Sequence, residues 1–444
     1  MKKFPNAFVI IIVTIVSGWI LTFVVPQGSY ERLTEQETGK TSVVPGSYHQ
    51  MDGEYLSVFD MLLAIPRGIV GEAETIVLVL LLGGCFYVLE KTGALNQGLN
   101  QLVSLLNGRE VLALVFISLL FMSGGVMIGM QEEVIAMTPV LLLFGRNLGY
   151  NALTVVYISY GSTVVGSAFS PFNPFAVIIA QNEADLQLLS GFGFRVIVLL
   201  IAAAAWIAFI INYARRNRSE KANETGSIEL LTLRSKIIVA LLISTFLGVT
   251  YGLLELDWGF NEISASFFGL AILSGFIGKL GINRTTEFYI EGFKEMIFAA
   301  MIIGLASSIS LILKEGMIID TIVHGLFGPL QNLPPAASGV LMMAAHSVLH
   351  FPIPSYSGQA VLTMPVLVPL SDLIGLSRQV CVLAYQYGAV MMDMIIPTNG
   401  ALMAVLAISR ISYDKWLGFI AKATLLMMLI AALAIVVAVA IGYN

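Results

Sequence analysis

Long apolar runs alternate with short polar segments along this chain. A run of about 20 apolar residues crosses a hydrocarbon core as a helix, and residues 7–25, 74–90, 191–213, 237–254, 263–277, 296–313 and 417–441 read as such crossings. Two other runs, 151–182 and 378–408, are interrupted. Ser167-Ala168-Phe169-Ser170-Pro171-Phe172-Asn173-Pro174 breaks the first, and Ile396-Pro397-Thr398-Asn399-Gly400 breaks the second. Each proline lacks an N–H and clashes with the preceding turn, so the helix cannot continue. Backbone groups freed at membrane depth must be buried in protein or line a wet cavity. Both runs therefore predict a transmembrane helix split into two halves.

Residues 111–145 carry a polar, glycine-rich middle and have Arg109 and Arg146 at their ends. A crossing and return needs about 40 residues plus a turn, so this stretch predicts a re-entrant helical hairpin. Residues 336–370, split at Pro352 to Gly358, predict a second one. Residues 58–73 and 287–295 read as interfacial helices, and 95–106 as a short amphipathic piece.

The pattern occurs twice. Pro171 and Pro397, Asn173 and Asn399, Pro139 and Pro365, and Gly149 and Gly375 are each 226 positions apart, while Gly68 and Gly292 are 224 apart. The chain then divides into a first repeat (1–214), a basic linker with a connecting crossing (215–260) and a second repeat (261–444). The odd crossing at 237–254 inverts the second repeat. The predicted fold class is an all-α polytopic membrane protein with two inverted repeats, each with a re-entrant hairpin and a broken helix. Such pairs of broken helices place a transporter's site at the repeat interface.

Composition agrees with this reading: 57% of residues are hydrophobic and 11% charged, with mean hydropathy +0.87. Nothing in it suggests a nucleic-acid partner; the expected partners are a small-molecule substrate and the lipid bilayer. Lys2 and Lys3 put the N-terminus in the cytoplasm, and the acidic stretch 26–55 outside, with Glu31, Glu35, Glu37, Asp52 and Glu54 against Arg32 and Lys40. Arg109 and Arg218 mark the inside surface, Asp257 the outside one, and the C-terminus falls in the periplasm of a bacterial inner membrane. No A-x-A site follows the first run, which reads as a retained span. Cys85 and Cys381 lie in apolar runs and form neither a disulfide nor a metal framework. No cofactor or metal is expected beyond Na⁺ or H⁺ as a candidate coupling ion.

The candidate substrate groups are Ser167, Ser170, Asn173, Thr398 and Asn399 at the breaks, and Gln131, Glu132, Ser355, Ser357 and Gly358 at the hairpin tips. The bland alternative at the breaks is that Ser, Thr and Asn merely satisfy freed backbone. Glu132, Glu133 and Asp393 are candidates for ion coupling or for an ammonium group, because an acid at membrane depth needs a cavity or a partner. The alternatives are a shallow hairpin for the glutamates and a hydrogen bond to the neighbouring hairpin for Asp393. His346 and His350 share a helical face and are gate candidates; without a Glu after the first, they do not make the zinc motif H-E-x-x-H. Arg67, Arg195 and Arg378 read as interface anchors. Asn173→Ala and Asn399→Ala are each expected to abolish binding.

The hairpins, broken helices and Pro-x-Asn signatures resemble the ion transporter superfamily, and within it the YfcC-like branch of the anaerobic C4-dicarboxylate carrier family. Related divalent-anion/sodium symporters carry Ser-Asn-Thr at tips and breaks; here Ser170 to Asn173 and Pro397 to Asn399 hold the break positions without the intact triplet. The resemblance implies an elevator-type carrier, usually a homodimer, for C4-dicarboxylates or for amino acids, including arginine/ornithine exchange. The acid-rich, arginine-poor candidate set favours an amino acid over a Na⁺- or H⁺-coupled dicarboxylate carrier. From other classes, an ion channel is the alternative, since midplane half-helices occur there too, but an inverted pair with two hairpins favours alternating access; an intramembrane hydrolase lacks a Ser/His/Asp or metal set.

Overall fold

The computed structural model describes residues 7–34, 41–44, 46–95, 97–98, 101, 110–217, 231–256 and 258–443. Lys2, Lys3, Glu35, Glu37, Lys40, Arg109, Arg218, Asp257, most of the amphipathic piece after residue 95, and linker residues 218–230 lie outside the described residues. The rest is a multi-pass helical membrane protein. Six described helices are long and apolar enough to cross a bilayer, among them Ala73–Lys91, Phe192–Arg216, Phe260–Ile277 and Tyr413–Ala440.

The largest departure from expectation is in the second repeat. Residues 287–295 and 296–313 form one helix, Ile282–Glu315, of 34 residues. No proline interrupts it, and Lys294 pairs with Glu291 one turn back at 2.6 Å, supporting the charged half. At 1.5 Å per residue it is about 51 Å long, so its polar end outruns a hydrocarbon core of about 30 Å. The equivalent stretch, 224 positions earlier, is divided into Val58–Gly71 and Ala73–Lys91. Ser57 and Asp60 form a capping box at its start, and Glu72 stands at the division.

The remaining elements repeat closely. Helices Glu110–Ile128 and Gln131–Asn147 form the first hairpin, and Pro335–His350 and Tyr356–Leu373 the second. Each second arm ends in a glycine at positive φ, +82° at Gly149 and +69° at Gly375, where a side chain would be strained. The first broken helix runs Ala152–Ala168 and resumes at Pro174; the second runs Arg378–Met392 and resumes as Gly400–Ile408. Asn173 and Asn399 each cap the resumed half through the side-chain oxygen.

Packing follows the same symmetry. Ala7–Val24 lies on Ile282–Glu315 as Phe260–Ile277 lies on Ala73–Lys91, while Leu233–Glu255 packs chiefly on Phe260–Ile277 and has no counterpart. The second hairpin arms cross over: Gln131–Asn147 packs on Gly400–Ile408, and Tyr356–Leu373 on Ile179–Glu183. Symmetry fails in one place. Gly400–Ile408 presses on Ile282–Glu315, where a Cβ at Gly400 would lie 3.1 Å from the Ile303 Cα, and Gln131–Asn147 packs on Ala73–Lys91. Their counterparts have no comparable packing on the long helices, and between Tyr356–Leu373 and Ile282–Glu315 a groove stands instead.

The loop after the first helix is docked rather than loose. The Tyr30 N–H donates to Asp320 Oδ2 (3.0 Å), Arg32 pairs with Asp320 Oδ1 (2.7 Å), and the Tyr48 ring stacks on His324 at 4.1 Å. Burial, and then the Asp320 carboxylate, push the Tyr30 phenol up to about 12.

Candidate functional site

The second break, both hairpin tips and the long helices enclose a cavity of about 520 Å³. Helix ends supply its polar groups because the breaks stop the chain at this depth. Of the sequence candidates, Gln131, Glu132, Ser355, Ser357, Asp393, Thr398 and Asn399 line it. Gly358 lies just beyond, in the adjoining groove. Three acids line the cavity, Glu72, Glu132 and Asp393, and no Lys, Arg or His is among its described lining residues.

Asp393 is the hub of this site. Its Oδ2 accepts from Gln131 Nε2 (2.7 Å) and from the Tyr356 hydroxyl, and its Oδ1 accepts from Asn399 Nδ2 (2.7 Å). His350 Nε2 is 3.0 Å from the same Oδ1. The Gln359 amide nitrogen donates to the His346 carbonyl (3.1 Å), which turns its oxygen toward His350 Nδ1 at 2.7 Å. With the amide turned this way Nδ1 donates to Gln359, and Nε2 faces the Asp393 carboxylate. The Tyr160 hydroxyl completes the set, 3.1 Å from both the Asp393 carbonyl oxygen and Asn399 Oδ1. Both hairpins and the second broken helix are thus tied to one carboxylate, and the first broken helix joins them through the Asp393 main chain and Asn399.

Glu132 differs from Asp393. Among the described residues its carboxylate makes no hydrogen bond to another side chain, and it lines the cavity. Glu133 sits behind it, with Oε2 buried and unpartnered. Glu72 accepts from Thr75 Oγ1 at 3.2 Å across the cavity wall.

Other candidates lie elsewhere. Ser167 Oγ donates to the Gly125 carbonyl (3.0 Å), Ser170 Oγ to that of Val126 (2.8 Å), and Asn173 Nδ2 to that of Gly125 (2.8 Å). All three are buried outside the cavity and satisfy backbone. His346 packs between Phe327 and Tyr385, also away from the cavity. Arg195 is no interface anchor: it is fully buried and donates to Gln386 and Gln379. Arg67 and Arg378 sit at the surface, paired with Glu315 and Asp372.

Sequence reading missed Glu72, Tyr160, Tyr356 and Gln386. Tyr160 and Gln386 are 226 positions apart, and Gln386 Nε2 donates to the Ser167 carbonyl (3.2 Å), as Tyr160 does to that of Asp393. Each broken helix thereby caps the other's break, and the 226 offset was the signal that could have found the pair.

The sequence model of the C4-dicarboxylate anaerobic carrier family matches residues 4–440. The chain is 29% identical to an uncharacterized protein of Haemophilus influenzae over 497 residues, covering 99% of this chain and 97% of that one. It is 30% identical to YfcC of Escherichia coli, described as a proposed basic amino acid antiporter, over 83% of this chain and 78% of that protein. Among solved structures, the YdaH transporter of Alcanivorax borkumensis aligns with TM-score 0.46 and 15% identity, over 99% of both chains. MtrF of Neisseria gonorrhoeae, titled an antimetabolite efflux pump, aligns with TM-score 0.43 and 15% identity, over 98% of this chain and 95% of that one.

Proposed function

Because the chain belongs to the C4-dicarboxylate anaerobic carrier family, we propose that it is a secondary active transporter of an amino acid, a basic one in preference, exchanged for a related one across the bacterial inner membrane. The observation that carries this reading is the cavity's charge: Glu72, Glu132 and Asp393 with no cation among the described lining residues. An ammonium or guanidinium group suits the Glu132 carboxylate, while the N-terminal end of Gly400–Ile408 suits the substrate carboxylate. The proposed basic amino acid exchange of the relative YfcC points the same way.

The moving part in this reading is the group of hairpins and broken helices, sliding as an elevator against Ala73–Lys91 and Ile282–Glu315. The unequal packing of the two repeats on those helices supports it, since inverted repeats exchange such contacts in alternating access. In this reading a proton taken up at the His350–Asp393 pair is the candidate coupling ion, and a homodimer is the expected assembly.

A C4-dicarboxylate carrier is the second reading, favoured by the family's description. Two carboxylates beside Glu132 and Glu72 would need bound Na⁺ or added protons. Counterflow in proteoliposomes separates the two: exchange of labelled arginine or ornithine supports the first, and Na⁺-dependent exchange of succinate with no amino acid exchange overturns it.

A further inference from the structure

Two grooves lead in along the long helices. One, of about 950 Å³, lies on the side of the docked loop and shares Ser307, Ser310, Ile353 and Ser357 with the acidic cavity, so it opens into it. The other, of about 570 Å³, shares no lining residue with the cavity. Met296 lines this second groove and Lys314 the first; 18 residues of helix put about 27 Å between them.

The grooves occupy matched places in the two repeats. Gly83, Phe86, Tyr87 and Glu90 line the closed one; Ser307, Ser310, Leu311 and Lys314, each 224 positions on, line the open one. The backbone plan is kept and the charge is reversed, lysine for glutamate. The other cations of the open groove are neutralised, Arg32 by Asp320 (2.7 Å) and Arg67 by Glu315 (3.0 Å). Lys314 is exposed and makes no ion pair among the described residues. In the closed groove Glu90 and Glu295 outnumber Arg146.

We propose that the loop-side groove is an entry subsite for a substrate carboxylate, with Lys314 as the group that holds it, and that the opposite groove, with Glu90 at the matched place, disfavours carboxylates. Low-dielectric walls focus the field of an unspent charge onto the groove. A molecule with a carboxylate at one end and a cation at the other is then turned cation-first toward Glu132 and Glu72. This inference rests on the reading of a carboxylate-bearing substrate and adds how it is captured.

A cysteine at Val361, which lines the loop-side groove, reports the local potential without any substrate, because Cys85 and Cys381 are buried. Relative to a free thiol, Val361→Cys should react roughly 3- to 10-fold faster with an anionic than with a cationic methanethiosulfonate. Lys314→Gln should remove the preference and Lys314→Glu reverse it. In proteoliposomes, Lys314→Gln should raise the KM for an amino acid added on that face several-fold, leave the maximal rate unchanged, and lose its effect in high salt. A labelling preference indifferent to Lys314, or an unchanged KM, overturns the proposal. Uptake of a dicarboxylate alone, with the same Lys314 dependence, keeps this subsite and sinks the amino acid reading.

Discussion

At the first break, Ser167 and Asn173 both donate to the Gly125 carbonyl, and the hairpin lies so close that a Cβ on Gly125 would fall 2.0 Å from the Thr163 carbonyl oxygen. At the second break, 226 positions on, Asp393 stands for Ser167, and 225 positions on, His350 stands for Gly125. The backbone contact becomes a side-chain pair, His350 with Asp393 at 3.0 Å. Both breaks keep the Asn cap and the donor lent by the other repeat. The comparison teaches that the backbone solution to a broken helix is duplicated, while an imidazole and a carboxylate in place of glycine and serine turn one copy into a chemical site. The first break holds the fold; the second lines the cavity.

Substitutions can break that contrast, and Asp393→Ala should do the most damage. It strands His350, Gln131 and Asn399 without their acceptor, and removing one member of a buried ionic pair costs about 3–5 kcal/mol. A large fall in the thermal unfolding midpoint is expected, where Ser167→Ala, with one hydroxyl donor lost, costs about 1 kcal/mol. Equal falls would mean the two breaks are energetically alike. Gly125→Ala comes next. Its methyl has no room against backbone, so overpacking of about 1–3 kcal/mol should lower the midpoint without changing substrate affinity in the protein that folds.

The asparagines sharpen the contrast further. Each loses a helix cap on mutation to Ala, at about 0.5–2 kcal/mol. Asn399→Ala should also lose substrate binding, because its amide lines the cavity. Asn173→Ala should keep the dissociation constant of the wild type, read by titration on folded protein. The smallest effect is expected of Tyr160→Phe, about 1 kcal/mol of stability, with binding weakened only as far as Asn399 and Gln131 reorient.

Much of this was legible in the sequence because prolines, glycines and asparagines at a fixed offset mark backbone constraints that survive without knowing any contact. Pro171 and Pro397 announced the breaks, and the offset of 226 paired Gly149 with Gly375, which the structure places at positive φ. What pairs across helices was not legible. Asp393 and His350 are 43 positions apart on different elements, and Tyr160 and Tyr356 in apolar runs look like any core aromatic until a neighbour presents an acceptor. Glu72 lies at the end of the stretch read as interfacial, and the structure puts it at the division of the first long helix and on the cavity wall. The converse holds for Asn173: the repeat matches it with Asn399, yet only Asn399 lines the cavity, because symmetry of backbone does not carry symmetry of chemistry.

The central claim is that Glu132 faces a cavity for a cationic substrate group. Thermal stabilisation of the purified protein by arginine, ornithine and succinate, compared between wild type and Glu132→Gln, tests it most directly. A ligand at 100 times its Kd adds about 2.7 kcal/mol to the folded state. The account predicts stabilisation by the basic amino acids that Glu132→Gln abolishes, with the midpoint of the unliganded protein not lowered, because this carboxylate makes no hydrogen bond to another side chain among the described residues. Stabilisation by succinate in Na⁺, or by arginine to the same degree in both proteins, would contradict it.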